Sequence, residues 1–378
     1  MRVAIDYGDV AERADGAGRA LRALRAGVPA MWRILRNHGI YLGRGTAATI
    51  AFLYPGQGSQ YVNMLAGLRA SDPIVGQTFQ EADQGSGSIP DADAGRALTD
   101  WVFVPSEDPD VLARAEQRLL AIDVAQPAML TAAFAVTRLL AAYGVRPDMV
   151  MGHSLGEFAA LVTARALTTL RAAIEAAVEG AHARIRRMVR VLGDDPGAMV
   201  AVLAPLPEVE RTIAAVGGYI AVANVNSNVQ VVVGGATGAV DAAVTAFAAA
   251  GRTTIRLPVS HAFHTPVTPT YDPLKKQLLE LGFRPPALPT VANATGDFYP
   301  VDGHAVQESL DLACREVDEP VQFVKGLHAL YVAGARVFVE VGPKRVLHGF
   351  AEDVLGSAYD DVLVLFTNSP KLADAVAF

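Results

Sequence analysis

Ser154 stands between two apolar runs in MVMGHSLGEFAAL (149 to 161), with Gly152 and Gly156 two residues away on either side. G-x-S-x-G after an apolar strand and before a helix is the pattern of a nucleophile elbow. A serine forced into a sharp strand-to-helix turn presses on neighbouring backbone; the glycines relieve that contact, and the hydroxyl is presented at the helix N-terminus. A plain glycine turn with a serine N-cap has the same residues, and the strand and helix on either side weigh against it. Such a serine needs a base. Of eight histidines, His261 and His264 stand in LPVSHAFHTPV, where a loop would return to a cleft, and chemistry alone ranks neither above the other. His38, His182, His304, His328 and His348 lie in charged or helical surroundings, as surface or packing residues do. His153, next to the serine, is expected to point away from it.

The elements that must position these groups follow from hydrophobic patterning. IAFLY, MVMG, RVFVEVG and VLVLF read as strands that are apolar throughout, separated by helices near 110 to 143 and from Leu155 to about Met188. This indicates an α/β protein whose parallel sheet is covered on both faces. Residues 197 to 260 differ: GAMVAVLA, PEVERTIAAVG, YIAVANV, VQVVVGGA, VDAAVTAFAAAG and TTIRLPV follow a β-α-β-β-α-β order, the ferredoxin-like arrangement, and such an insert leaves a cleft beside the main sheet. The expected organisation is a helical linker over 1–48, a core over 49–196 and 261–366, a ferredoxin-like subdomain over 197–260, and the start of a C-terminal linker over 367–378.

Bulk properties narrow the function. The 378 residues are 51% hydrophobic, enough for a large core. Apolar stretches are broken by Gly, Pro or charge before the roughly 18 residues of a membrane span, and no signal peptide opens the chain, so a cytoplasmic setting is expected. Cys314 is the single cysteine, which excludes an internal disulfide or a cysteine-based metal cluster, and reads as a small buried hydrophobe. A net charge of -7 without basic blocks argues against nucleic acid. Arg184, Arg186, Arg187 and Arg190 are read as a solvated helix face.

Four separated motifs, YPGQGSQ (54 to 60), GHSLGE (152 to 157), SHAFH (260 to 264) and EVGP (340 to 343), resemble the acyltransferase domains of polyketide and fatty acid synthases, including stand-alone malonyl-CoA:acyl carrier protein transacylases. AQPAML, NVNSNVQVVVGG and EPVQF match as well, and the resemblance covers roughly residues 49 to 368. It implies an α/β-hydrolase-like core with an inserted ferredoxin-like subdomain. Ser154 would be the nucleophile, His264 the base, and the backbone N–H groups of Gln57 and Leu155 the oxyanion hole. Asn226 and His153 would line the substrate cleft. The carbonyl that orients the histidine falls at Glu316, where the family has an amide, and a carboxylate there could raise the histidine's pKa. The implied reaction is ping-pong transfer of an acyl group from coenzyme A to the phosphopantetheine thiol of an acyl carrier protein, with no metal or permanently bound cofactor.

The acyl group is contested by two residues. Phe263 in HAFH implies a pocket wall beside the acyl α-carbon with little room for a branch, which favours malonyl. Malonyl-type relatives carry a carboxylate-binding arginine twenty-five positions after the serine; a gap-free count places Glu179 there, which disfavours malonyl and would suit an acyl group bearing an amine. Arg186 is one further stretch along that helix, about 10 Å on, and Arg184 is turned away from Glu179. The segment before residue 46 and TNSPK (367 to 371) resemble linkers flanking acyltransferases inside large synthases where a ketosynthase precedes them, and the end at DAVAF reads as a cut from a longer polypeptide. Two other classes use the same residues: a serine thioesterase or hydrolase, which needs an acidic triad member and an HGGG-like loop that do not stand out, and a non-catalytic docking module, against which the intact Ser154 and His264 argue.

Overall fold

The protein is described by a computed structural model covering residues 1–36, 38–43, 47–85, 96–259, 261–265, 272–300 and 305–378. His304 lies outside the described residues, as does the side chain of Arg190.

The chain divides into two compact units, Met1–Ala48 and Thr49–Phe378. In the first, the helix Val10–Ala26 begins at Asp9, whose side chain accepts from the Glu12 N–H, and ends at Gly27 in the left-handed region that glycine adopts without strain. A second helix, Pro29–Arg36, follows. The unit is not helical throughout: β1 (Arg2–Ile5) and β2 (Ile40–Gly43) pair antiparallel, and Ala20, Ala23, Trp32, Leu35 and Ile40 form a small core of their own. Four-residue strands far apart in sequence carry too little alternation to be read locally.

The second unit is built on a six-stranded sheet of β3 (Thr49–Tyr54), β4 (Met149–Gly152), β9 (Thr290–Ala292), β10 (Asp297–Phe298), β11 (Ala335–Glu340) and β12 (Leu363–Phe366), in the order β10-β9-β4-β3-β11-β12. All pairs are parallel except β10 with β9. Successive side chains of a strand point to opposite faces. Phe52, Tyr54 and Val150 therefore enter one buried cluster, while Ala51, Leu53, Met149 and Met151 enter the other, which is why these strands are apolar at every position. The helix Ile122–Ala142 is long and apolar enough to cross a membrane by composition, and it is largely buried inside this core.

Between the helix Leu170–Leu192 and residue 257 the chain forms a four-stranded antiparallel sheet of β5 (Ala198–Val202), β6 (Ile220–Ser227), β7 (Gln230–Gly235) and β8 (Thr254–Arg256), ordered β6-β7-β5-β8. The helices Leu206–Val216 and Thr237–Ala249 supply the β-α-β-β-α-β order. One face, with Val200, Val202, Val231 and Val233, packs with Phe247 and Val209 of those helices. The other, with Met199, Ala201 and Val232, forms a separate apolar surface that meets Ala262 and Phe263.

Residues 367–369 depart from the expected linker. Thr367, Asn368 and Ser369 are buried; the Thr367 N–H donates to the Glu340 carbonyl, and Asn368 Oδ1 accepts from the Tyr61 hydroxyl and the Lys344 N–H. A polar tripeptide looks like a linker in sequence, yet here its polar atoms satisfy core backbone.

Glu340 of EVGP ends β11 and is fully buried. Its Oε2 accepts from the His348 N–H at 2.7 Å, at the start of the helix Val346–Ala351, while Oε1 has no partner among the described residues. Burial pushes its carboxyl up to about 7. A folded value above the unfolded one means stability that is present in acid and lost as pH rises through about 7. Glu340→Gln keeps an acceptor and does not titrate. Its melting temperature relative to the parent protein should therefore climb by a few degrees between pH 5 and pH 8.5; parallel pH profiles would show that Glu340 is not a buried acid.

Candidate active site

Ser154 follows β4 and precedes the helix Gly156–Thr163, with φ of 54°, a left-handed conformation that costs a non-glycine residue on the order of 1 kcal/mol. The flanking glycines are required by contact. A Cβ on Gly152 would sit 2.0 Å from the Glu157 nitrogen, and one on Gly156 would sit 2.0 Å from the Tyr54 carbonyl oxygen. Gly56 is equally constrained, since its Cβ would meet the His153 carbonyl at 2.4 Å, and this holds the Pro55–Gly58 loop against the elbow.

Asn293, directly after β9, was not singled out by sequence. It is fully buried; its Oδ1 accepts from the Ser154 N–H at 2.7 Å, its Nδ2 donates to the Gly152 carbonyl, and its own N–H donates to Glu157 Oε2. The Tyr299 hydroxyl donates to the other oxygen of Glu157. Burial pushes the Glu157 carboxyl up to about 7. The Ser154 N–H is committed to Asn293, while Leu155 and Gln57 line the cleft and, among the described residues, the backbone N–H of neither donates to a protein acceptor. Two such donors at a helix N-terminus can stabilise developing negative charge on an acyl oxygen.

Of the two loop histidines, the structure selects His264. Its Nε2 lies 2.6 Å from Ser154 Oγ, whereas His261 is off to one side with its ring edge toward Phe263. His264 is itself left-handed, φ 56°, and 5% exposed. Its Nδ1 donates to the carbonyl of Glu319 at 3.2 Å. The carbonyl of Glu316, the expected orienting group, also acts on the ring, so the backbone at Glu316 and three residues later at Glu319 both face it. Any carbonyl can serve, so residue type carries no signal, and only the path of the loop decides. Burial first, then the nearby His153 and Arg184, lower His264 to about 3, which keeps the ring neutral with Nε2 as acceptor for the serine proton.

His153 is half-buried against Phe323 and Phe350, and its Nε2 is 2.7 Å from Asn226 Oδ1 on β6; both side chains line the cleft. This bond ties the elbow to the small sheet. A second tie is the parallel bridge of Asn224 to Val321 in EPVQF. The cleft between the two sheets holds about 270 Å³, and Phe263, Met199 and Val232 form its apolar wall.

Glu179 is not in the cleft. It lines a different pocket, of about 450 Å³, on the outer side of the helix Leu170–Leu192, and pairs with Arg186 at 2.5 Å in an exposed position. The residues of that helix facing the cleft are Ala177 and Ala181. Continuing by i+3 and i+4 leads to Arg184, so the gap-free count from Ser154 lands on the wrong face. Arg184 is fully buried. It donates to Asp318 at 2.9 Å, to the carbonyls of Ala262 and Thr265 and to Thr265 Oγ1, and thereby clamps the loop on both sides of His264. Arg187, 8% exposed, is bidentate to Asp318. The arginine run is therefore no solvated face: Arg186 is exposed, and Arg184 and Arg187 bracket a buried carboxylate. The alanine spacing 177, 181 was the available signal. Cys314 is buried and its thiol pushed up to about 12, so it stays an unreactive packing residue.

A mostly parallel sheet with a Ser–His pair at the C-terminal end of an inner strand defines an α/β enzyme of serine-mediated acyl chemistry. The chain belongs to the acyl transferase domain family, whose model matches residues 51–363, and it is an acyltransferase. It is 35% identical over 336 residues to the spectinabilin polyketide synthase system protein NorB of Streptomyces orinoci, covering 88% of this chain and 14% of that protein. It is 33% identical over 312 residues to the malonyl CoA-acyl carrier protein transacylase of Escherichia coli O157:H7, covering 81% of this chain and 92% of the relative. Among solved structures, the acyltransferase domain from the second module of the salinomycin polyketide synthase superposes with a TM-score of 0.75 at 29% identity, over 100% of this chain and 80% of that one.

Proposed function

We propose that the protein moves an acyl group from coenzyme A, through an ester on Ser154, to the phosphopantetheine thiol of an acyl carrier protein in polyketide or fatty acid biosynthesis. The observation that carries this reading is the 2.6 Å Ser154 Oγ to His264 Nε2 hydrogen bond at the floor of the cleft. His264 takes the hydroxyl proton as Oγ attacks the thioester carbonyl, and the N–H groups of Gln57 and Leu155 hold the oxyanion. Collapse expels the coenzyme A thiolate, which takes the proton from His264. The carrier thiol then gives its proton to His264, attacks the ester and leaves as the acyl thioester, returning the proton to Ser154. Nothing in these steps calls on a metal or resident cofactor. The relation to a transacylase and to a carrier-protein complex of a malonyl-transacylase supports the carrier as acceptor. That the chain matches 14% of a polyketide synthase supports its being one domain of such a polypeptide, with a ketosynthase in the same chain and a cytoplasmic setting.

For the acyl group, the reading takes up malonyl. The charge objection disappears with Glu179 outside the cleft, and Phe263, which lines it, supports the restriction on an α-branch that the resemblance of HAFH implies. Glu179→Arg should leave labelling of Ser154 by malonyl-CoA and acetyl-CoA within twofold of the parent protein. A tenfold gain for malonyl would return Glu179 to the acyl pocket. Transfer to a holo acyl carrier protein, followed by mass spectrometry of the carrier, tests the reaction. Acyl-CoA hydrolysis at the same rate with and without the carrier would establish a thioesterase instead.

A further inference from the structure

The loop 55–60, which carries Gln57, is held by contact at one end and by hydrogen bonds at the other. At Gly56 an added Cβ would strike the His153 carbonyl, so the backbone there is wedged against the elbow. Gly58 lines the cleft two residues on, with φ of 104° and nothing within 4 Å of the place where its Cβ would be, so it is not wedged in the same way. Its two backbone groups are held instead. The Gly58 N–H donates to Gln60 Oε1 at 2.7 Å, and Gln60 Nε2 donates to the Leu119 carbonyl at 3.2 Å. The Gly58 carbonyl accepts from Lys344 Nζ at 3.0 Å. Gln57 sits between the wedge and these bonds.

Lys344 ends EVGPK, just after β11, and is half-buried in a turn where its own backbone is left-handed, φ 64°. That conformation suits glycine and strains other residues, so the turn gains nothing locally from a lysine. Buried bonds nonetheless fix it there. The Lys344 N–H donates at 3.0 Å to Oδ1 of the fully buried Asn368, and the same oxygen accepts from the Tyr61 hydroxyl at 2.8 Å. Asn368 Nδ2 donates to Asp374 Oδ1 at 3.0 Å. The two segments also abut directly, since a Cβ on Gly342 would lie 2.9 Å from Pro55 Cγ. Asn368 therefore joins the turn that carries Lys344 to the segment that follows Gln57, and the lysine side chain reaches across that join to the Gly58 carbonyl. Strain of this kind, kept in place by the surrounding structure, is what functional sites hold.

We infer that Lys344 is a positioning residue for acyl transfer: its ammonium holds the Gly58 carbonyl and so keeps the Gln57 N–H aimed at the oxygen of the reacting acyl group. This rests on the acyltransfer reading above, in which Gln57 is an oxyanion donor. Acylation and release both pass through that oxyanion, so both should slow together when the ammonium is lost. Binding of the thioester should not change, because an oxyanion donor acts on charge that develops after binding.

The experiment measures single-turnover acylation of Ser154 over a range of malonyl-CoA and acetyl-CoA concentrations, then release of the acyl group to free pantetheine, in the parent protein, Lys344→Met, Lys344→Gly and Lys344→Arg. Lys344→Met keeps the stem and Lys344→Gly relieves the left-handed backbone; both should acylate about tenfold more slowly at saturation, with the half-saturating concentration within twofold of the parent. Release to pantetheine should slow by the same factor within threefold. Lys344→Arg, which keeps a donor, should stay within threefold of the parent in both steps. The final amount of adduct counts the active protein, so loss of fold does not enter these rate constants. A saturating rate in Lys344→Met within twofold of the parent, or Lys344→Arg as slow as Lys344→Met, overturns the inference while leaving acyltransfer intact. So does a loss confined to the half-saturating concentration, with release to pantetheine unchanged, which would make Lys344 a contact to coenzyme A instead. No acylation of the parent protein by either thioester overturns both readings.

Discussion

Ser154→Ala leaves no acyl adduct after incubation with an acyl-CoA, and His264→Ala slows adduct formation by about two to four powers of ten, both read by intact-mass spectrometry. The first effect is total because, among the described residues lining the cleft, Ser154 is the one whose hydroxyl is hydrogen-bonded to an imidazole, at 2.6 Å from His264 Nε2. The second is partial because removing the ring spares the amides of Gln57 and Leu155, the oxyanion donors proposed above. Neither change should unfold the protein. Ser154 is half-buried and its backbone is held independently of its side chain by Asn293. An adduct that persists in Ser154→Ala would end the assignment, and an unchanged rate in His264→Ala would remove the base from it.

Arg184→Met should cost about 3 kcal/mol or more in urea unfolding and lower acylation far more than any other change outside the Ser–His pair. The side chain has no exposure, and it donates to four acceptors. Its removal leaves the carbonyls of Ala262 and Thr265 without their donor on either side of His264, and leaves Asp318 to Arg187 alone. Truncating one partner of a buried pair is costly even where the intact pair is nearly neutral, because the remaining charge stays desolvated. Arg184→Lys should not rescue activity, as one ammonium cannot span the carboxylate and two separated carbonyls in a planar fork. A midpoint shift equivalent to less than 1 kcal/mol, with normal acylation, would show that the clamp does not hold His264.

What the sequence determined by itself is local. The glycines at 152 and 156 are dictated by backbone atoms within the turn or on the adjacent strand, so the elbow was legible from five residues. Strands apolar at every position reported a sheet covered on both faces, since burial of both sets of alternating side chains leaves no other composition. The β-α-β-β-α-β order of the small sheet was equally visible, because each element there carries its own period. Tertiary structure decided the rest, and in each case the deciding quantity was an orientation that no spacing encodes. The choice of His264 over His261 depends on a loop turning through a left-handed residue over the elbow. Glu319 joins Glu316 as an orienting carbonyl, which no residue type signals because backbone acceptors are chemically identical along the chain. Asn293 reaches Ser154 across 139 positions of sequence, with no local sign that it will. The reversal of Glu179 is the clearest of these. Seven residues of helix span nearly two turns, so a shift of a few positions in alignment carries a residue from the cleft to solvent. The sequence shows that an arginine-rich helix follows the nucleophile, and only the packing of Ala177 and Ala181 against the cleft shows that Arg184, rather than Arg186, turns inward beneath His264.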